Sequence, residues 1–195
     1  HYEIIFMAVF VILVILLVLY IVHENYRRDQ ELMKYAQTDA LTGLYNKETT
    51  KLRTDEILST DKDMIHAFLI LDMDCFKQIN DGYGHAVGDI VLQKFGQLLR
   101  DIFREDDIVG RIGGDEFVVV MKNIKMKEMA IAKAEELLTK TQQYEIKELN
   151  GSAISISIGI AMAPEDGDCY MDLYKRADQA LYQAKRSGKA RVCGY

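Results

Sequence analysis

The sequence has no tryptophan, a single proline and no low-complexity tract. This composition is typical of a folded globular chain and excludes collagen-like and disordered classes. The three cysteines, Cys75, Cys169 and Cys193, are odd in number and lack the CxxC spacing of a metal site. They indicate reduced cytosolic thiols rather than a disulfide framework.

Acidic residues outnumber basic ones, 30 to 24. The formal net charge is −6, and every charged residue except Glu3 lies beyond position 22. Nucleic-acid binding depends on neutralising many phosphates, so we expect no nucleic-acid partner. A polyphosphate substrate remains compatible with the composition if metal ions supply the positive charge.

The beginning of the chain is an unbroken apolar run, residues 4–22, without charge, glycine or proline. A helix of this length spans about 28 Å, close to the hydrocarbon thickness of a bilayer. No basic leader precedes the run and no small-residue cleavage site follows it, which argues against a signal peptide. We therefore predict a transmembrane helix within residues 1–22. Arg27, Arg28 and Lys34 then place the rest of the chain in the cytoplasm.

Residues 23–37 are polar, lack proline and glycine, and predict a linker helix. An apolar three-four spacing, interrupted once by an aspartate, is compatible either with a seam between two parallel helices or with a solvated linker. The seam positions are Leu19, Val22, Tyr26, Asp29, Met33 and Ala36. Because the chain begins with His1 rather than methionine, we expect it to be a fragment, truncated at this end, or a processed product.

Residues 38–195 predict an α/β sandwich in which helices flank a central, mostly antiparallel sheet. Asn46 is a candidate N-cap for the first helix of this part. Helices are expected at 46–58, 85–103, 127–143 and 172–187, and strands at 67–71, 108–112, 116–121 and 154–161. Residues 76–89 contain three glycines and predict a loop that leads into a helix.

Carboxylates occur where two of the predicted strands end. Asp72 and Asp74 follow the first strand, and Asp115 and Glu116 lie at the Gly113-Gly114 hairpin. If these strands are neighbours, Asp72 and the hairpin acids converge at one edge, where hard oxygen ligands suit magnesium. Asp74 alone is better explained as a loop residue.

The predicted loop FKQINDGYGHAVGD offers backbone N–H groups before a helix, together with Lys77, and thus a cradle for phosphate. It lacks the spacing of a Walker A loop. Asn80 and Asp89 are candidates for reading a base, because a carboxylate can accept from both the ring N–H and the exocyclic amine of guanine. His85, taken alone, is more typical of a structural histidine than of a catalytic one.

The segment RIGGDEF at 111–117 resembles the signature of the GGDEF family of diguanylate cyclases. The segments DALTGLYN from Asp39, LDMDCFKQINDGYGHAVGD from Leu71, SISIGIA from Ser155 and ADQALYQAKRSGKARV from Ala177 match the family in order. The resemblance covers residues 38–192. It implies a nucleotide-cyclase or polymerase-palm type of fold. It also implies a bacterial homodimeric enzyme that joins two GTP molecules into cyclic di-GMP, which the predicted span at residues 4–22 would tether to the inner membrane.

The resemblance further implies roles for individual residues. Two Mg²⁺ or Mn²⁺ ions per half-site would be held by Asp72, the Met73 carbonyl, Asp115 and Glu116. Asp115 and Glu116 would be catalytic, and which of them is the base stays open. The implied substrate contacts are Asn80 and Asp89 for guanine, Lys77 and Lys185 for phosphate, and Phe76 and His85 beside them.

Arg104 and Asp107 have the RxxD spacing of the family's product-inhibition site, although an exposed charge run would have the same composition. Two other functions compete with the cyclase. A catalytically inactive cyclic di-GMP receptor would be expected to carry a damaged hairpin, and 113–117 is intact. A related purine cyclase that makes a mononucleotide is disfavoured because Asn80 and Asp89 occur together.

Overall fold

The computed structural model describes residues 37–149 and 154–195, together with residues 2, 7, 12, 13, 15–25 and 27. The chain divides into two compact units, His1–Gln37 and Thr38–Tyr195. In the first unit the described residues are helical. No helix in this described part of the chain is both long and apolar enough to cross a membrane. Parts of the predicted span, and most of the predicted linker with its seam, lie outside the described residues.

The second unit is a five-stranded sheet with helices on both faces, which confirms the predicted α/β class. The strands follow the order β2-β3-β1-β4-β5, and only β4 and β5 are parallel. The helices are α1 Lys47–Thr60, α2 Phe76–Tyr83, α3 His85–Ile102, α4 Lys127–Gln143 and α5 Tyr170–Arg186. The strands are β1 Ile65–Met73, β2 Ile108–Gly113, β3 Glu116–Ile124, β4 Ile156–Ala163 and β5 Val192–Gly194, and Lys147–Leu149 forms a short 3₁₀ turn.

The central strand β1 is buried on both faces because helices cover both sides of the sheet. Leu69 belongs to the apolar layer that the sheet forms with α3 and α4, whereas Phe68 belongs to the layer with α1 and α5. Each fully buried side chain of this size contributes about 1.5–3 kcal/mol. The strand is therefore a fixed support for whatever its C-terminal end carries.

Local predictions were confirmed in part. The Asn46 side chain caps α1 by accepting from the Thr49 N–H at 2.9 Å. The predicted loop at 76–89 was wrong in its first half, because Phe76–Tyr83 is helix α2. Phe76 and Ile79 pack one side of α2 against the core, and the glycine at 84, with φ +87°, separates α2 from α3.

Candidate active site

The ends of β1 and β3 bring two carboxylates together. These strands are antiparallel neighbours, and Asp72 stands opposite Glu116 in their register. Asp72 is only 8% exposed. Asp115 lies in the turn between β2 and β3, and its carbonyl accepts from the Met73 N–H at 3.4 Å. The predicted convergence of these acids at one sheet edge is confirmed.

The turn between β2 and β3 contains only two residues, and the space beside its backbone is open. Gly114 and Asp115 form it, between the last residue of β2 and the first of β3. Gly114 has φ +25°, in the left-handed region that a side chain disfavours, and no atom would lie within 4 Å of a Cβ placed there. A large ligand can therefore approach the backbone of this turn.

Burial and like charge act together on the two carboxylates. Burial raises the pKa of Asp72, with Asp115 and Asp74 adding to the increase and Lys185 opposing it. Burial also raises the pKa of Glu116, and the nearby charge of Asp72 adds to this effect. The site holds more negative charge than its own cations neutralise, which favours a bound cation.

Lys185, in the last turn of α5, reaches this cluster. Its Nζ lies 2.7 Å from Asp72 Oδ2. Lys185 also lines a groove of about 480 Å³ together with Glu116, Asp178 and Tyr182. A residue predicted to contact phosphate thus stands between the paired carboxylates and an open groove.

The α2–α3 segment holds the predicted base-reading residues. A Cβ at Gly88 would overlap the Asn80 carboxamide, so glycine at this position allows Asn80 to lie against the first turn of α3. Asp89 follows Gly88 and is exposed. The structure thus brings Asn80 close to the start of α3, where Asp89 lies.

The other predicted substrate residues divide into two groups. Lys77, in the first turn of α2, and His85, the first residue of α3, are both exposed. The Phe76 side chain packs against the core instead. What Phe76 offers to a ligand is therefore its backbone N–H at the start of a helix, a position that favours anions.

Sequence reasoning missed the role of Asp74. Its carboxylate accepts hydrogen bonds from Ser155 Oγ at 2.6 Å, Ser157 Oγ at 2.8 Å and the Ala190 N–H at 3.1 Å. Asp74 thus joins the end of β1 to β4 and to the segment before β5. The partners are more than 80 residues away in sequence, so no local pattern could have identified them.

Arg111 and Asp39 were also missed, although both lie in the recognised motifs. Arg111 Nη1 lies 3.1 Å from Asp39 Oδ1, and its Nη2 donates to the Gly114 carbonyl at 2.7 Å. Burial opposes ionisation of Asp39, but hydrogen bonds from Thr42 and the Arg111 guanidinium hold its pKa below the ordinary value. Arg111 therefore connects the first residues of the unit to the turn that carries Asp115.

The RxxD pair lies before β2, at the other end of that strand from the Gly114-Asp115 turn. Arg104 is exposed, whereas Asp107 is 8% exposed. The two Asp107 oxygens accept from the Arg104 and Lys122 N–H groups, each at 3.0 Å. The Asp107 carboxylate thus fixes the backbone that presents Arg104.

The donor set of the site fits a divalent cation. Two carboxylates face each other at the strand ends, with Asp115 in the adjoining turn, and an ammonium group already occupies a cation's place on Asp72. Oxygen ligands of this kind are those that Mg²⁺ and Mn²⁺ prefer.

Comparison with known proteins agrees with this geometry. Residues 36–191 match the family model described as diguanylate cyclase, GGDEF domain. The diguanylate cyclase DgcS of Shewanella oneidensis is 36% identical over 168 residues, covering 85% of this chain and 55% of that protein. The curated relatives are longer, and the chain spans from 23% to 55% of their lengths.

Solved structures give the same answer. The coiled coil and GGDEF domain of DgcB from Caulobacter crescentus, in complex with c-di-GMP, superposes with a TM-score of 0.82 at 25% identity. The match covers 89% of this chain and 93% of that one. The GGDEF domain of PA1120 from Pseudomonas aeruginosa, with a TM-score of 0.75 and 35% identity, covers 80% and 93%. The chain therefore belongs to the GGDEF family of diguanylate cyclases.

Proposed function

We propose that this chain condenses two GTP molecules into cyclic di-GMP and releases two pyrophosphates. The observation that carries the proposal is the pairing of Asp72 with Glu116 beside an intact Gly113-Gly114 turn. In each half-reaction a 3′-oxygen bonds to an α-phosphorus, and the bond from that phosphorus to the bridging oxygen breaks. The 3′-hydroxyl proton passes to Asp115 or Glu116. Burial raises the pKa of Glu116, which strengthens that carboxylate as a proton acceptor.

We infer that Asp72, the Met73 carbonyl, Asp115 and Glu116 hold two Mg²⁺ or Mn²⁺ ions per half-site. When bound, these ions neutralise triphosphate charge and lower the pKa of the 3′-hydroxyl. The buried end of β1 fixes the position of Asp72. Crowded carboxylates with raised pKa values favour this assignment.

Substrate binding is assigned to the α2–α3 segment and to α5. Asn80 and Asp89 read guanine, because Asp89 accepts two donors that adenine does not present together. Phosphate is held by Lys77, by Lys185 and by the amides at the start of α2, with His85 alongside. Each chain binds one GTP in its catalytic unit. The catalytic units of two chains must therefore face each other, and catalysis requires a homodimer.

Tethering raises the effective concentration of the second half-site. We propose that residues 4–22 anchor the chain in the bacterial inner membrane with the catalytic unit in the cytoplasm. Residues 23–37 would then join the two as a signalling helix. Exposed apolar side chains on helical residues 15–22 support the anchor. The coiled coil of DgcB, a structural relative, supports the helix.

Product inhibition is assigned to Arg104 and Asp107, with the Asp107 carboxylate holding the backbone that presents Arg104. The exposed guanidinium of Arg104 can fork to a guanine edge in a way that lysine cannot imitate. Cyclic di-GMP added at the start should inhibit the parent protein and inhibit Arg104→Ala much less. Equal inhibition of both proteins would show that Arg104 belongs to a solvated charge run.

The decisive experiment is incubation of the full chain, in detergent or membranes, with GTP and Mg²⁺, followed by mass identification of the product. We expect cyclic di-GMP and pyrophosphate, and no product with ATP. A linear or mononucleotide product would contradict the cyclase assignment. Binding of cyclic di-GMP without any synthesis would instead identify a receptor.

A further inference from the structure

The ion pair between Lys185 and Asp72 occupies the position expected of a metal. Lys185 Nζ contacts Asp72 Oδ2 at 2.7 Å, and the Asp72 side chain is only 11% exposed. Lys189, the next lysine along the chain, instead donates to Cys75 Sγ at 3.2 Å. One lysine thus neutralises the buried carboxylate directly, and a second lies close by without touching it.

A single ammonium is an incomplete substitute for a divalent ion. It brings one positive charge to a cluster that contains three carboxylates, Asp72, Asp115 and Glu116. A metal ion and an ammonium that share the same carboxylate oxygen repel each other. Metal binding at Asp72 therefore favours departure of Lys185.

The groove beside the carboxylates gives the departing ammonium a destination. Lys185 already lines this groove with Glu116 and Asp178, and its side chain is 36% exposed. The lysine side chain is a flexible four-carbon stem, so its ammonium can move from Asp72 to a ligand in the groove without movement of α5. A triphosphate in the groove would replace the carboxylate as its counterion.

We propose that Lys185 is a built-in counterion of Asp72, displaced from this carboxylate by the metal and thereby released to the triphosphate. This inference rests on the proposed function and adds a coupling between two ligands. Metal without nucleotide must break the ion pair between Lys185 and Asp72 and supplies no phosphate to replace it, so it binds weakly. Metal and nucleotide together satisfy every charge, and by linkage each raises the affinity of the other by the same factor.

The test is a titration of the full chain with Mn²⁺ without nucleotide, followed by electron paramagnetic resonance of the free ion. The parent is compared with Lys185→Met and with Lys189→Met, which removes an equal charge without touching Asp72. Asp72→Asn defines the signal of this site. We expect Lys185→Met to bind Mn²⁺ about tenfold more tightly than the parent, and Lys189→Met to differ from it less than about threefold.

The second arm repeats the titration with a non-cleavable GTP analogue. The analogue should tighten Mn²⁺ binding to the parent clearly more than to Lys185→Met. Equal or weaker binding of Mn²⁺ alone by Lys185→Met would overturn the proposal, and so would equal shifts in both lysine variants. Lys185→Gln serves as a second variant if Lys185→Met does not fold. Failure of the parent to bind Mn²⁺ even with the analogue would contradict the proposed function itself, a separate result.

Discussion

Asp72 and Asp74 lie two residues apart at the end of β1, yet the groups that contact their carboxylates differ in charge. Asp74 accepts hydrogen bonds from two serine hydroxyls and a backbone N–H. Asp72 faces Glu116 across the ladder, and its pKa is raised by burial and by other carboxylates. The Asp74 carboxylate accepts its hydrogen bonds from neutral donors, whereas the Asp72 carboxylate pairs with a cation, Lys185.

This difference in contacts distinguishes carboxylates that stabilise the fold from carboxylates that bind a ligand. A carboxylate with several neutral donors stabilises the fold, because removing it leaves those donors unpaired. A carboxylate crowded by like charge weakens the fold slightly and is retained for what it binds. Asp39 and Asp107, which accept backbone or hydroxyl hydrogen bonds, resemble Asp74. Glu116 resembles Asp72.

The largest expected effect is on turnover by Glu116→Gln. The amide keeps the size of the side chain but removes its charge, so cyclic di-GMP synthesis should fall by about a thousandfold. The free energy of unfolding should stay equal or rise, because repulsion with Asp72 is relieved. Product chromatography and urea unfolding followed by circular dichroism measure the two quantities.

The control is Glu165→Gln, an exposed glutamate after β4, which should change neither quantity. Turnover within tenfold of the parent for Glu116→Gln would remove Glu116 from the catalytic set. A clear loss of stability in that variant would instead place Glu116 with the structural carboxylates and break the comparison.

The second prediction concerns Asp74→Ala, which should lower the free energy of unfolding by about 2–3 kcal/mol. The loss comes from two hydroxyls and one N–H that the carboxylate no longer satisfies. Asp81→Ala, at an exposed position of α2, is the control. A double-mutant cycle with Ser157→Ala isolates the hydrogen bond between the two side chains, and a coupling energy near zero would contradict the assignment.

Asp39→Asn should give a smaller loss of stability, about 1–2 kcal/mol, because Thr42 can still donate to the amide oxygen while the charge pair with Arg111 is lost. The pKa of Asp39 is lowered in the fold. Its contribution is therefore fully present above the ordinary pKa of 3.8 and disappears as pH falls through the folded value.

Unfolding of the parent and Asp39→Asn at a series of pH values checks this sign. The two curves should differ at neutral pH and converge in acid, while Asp63→Asn, at an exposed position, should follow the parent throughout. A constant difference across the pH range would mean that the charge of Asp39 is unimportant. Turnover should also fall in Asp39→Asn, because Arg111 holds the Gly114 carbonyl.

Features set by local pattern were predictable from the sequence. The apolar run at 67–71 identified the buried strand, and the glycine pair identified the hairpin that places Glu116 beside Asp72. The α2 helix was missed because the two glycines near its end favoured a loop prediction. The packing of Phe76 and Ile79 against the core stabilises the helix in spite of these glycines. A three-residue strand such as β5 is too short to have a period at all.

Pairings between distant residues could not be predicted in this way. Arg111 and Asp39 are 72 residues apart, and nothing in either local sequence specifies the other. The same is true of Lys185 and Asp72, which meet only because α5 packs against the sheet. The family resemblance predicted which residues belong to the site. The contacts between distant residues determine how the charges of those residues are paired.

The smallest effect is predicted for the carboxylate with the most strongly lowered pKa. Glu136 pairs with Lys133 at 2.9 Å and Lys140 at 2.8 Å on α4, and hydrogen bonds from these lysines lower its pKa to about 2. The three side chains are 30–48% exposed, so water and salt screen the pairs, and Glu136→Gln should change stability by less than about 0.5 kcal/mol. Because the pKa is lowered, this contribution is fully present above the ordinary pKa of 4.5 and is lost as the pH falls toward about 2.

Urea unfolding at low and high salt tests this last point. A small difference between the parent and Glu136→Gln at low salt should vanish at about 1 M salt, where the screening length is about 3 Å. The difference made by Asp74→Ala should persist at the same salt, because its hydrogen bonds are partly buried. If Glu136→Gln cost as much as Asp74→Ala, charge pairing rather than burial and donor count would decide which carboxylates hold the fold.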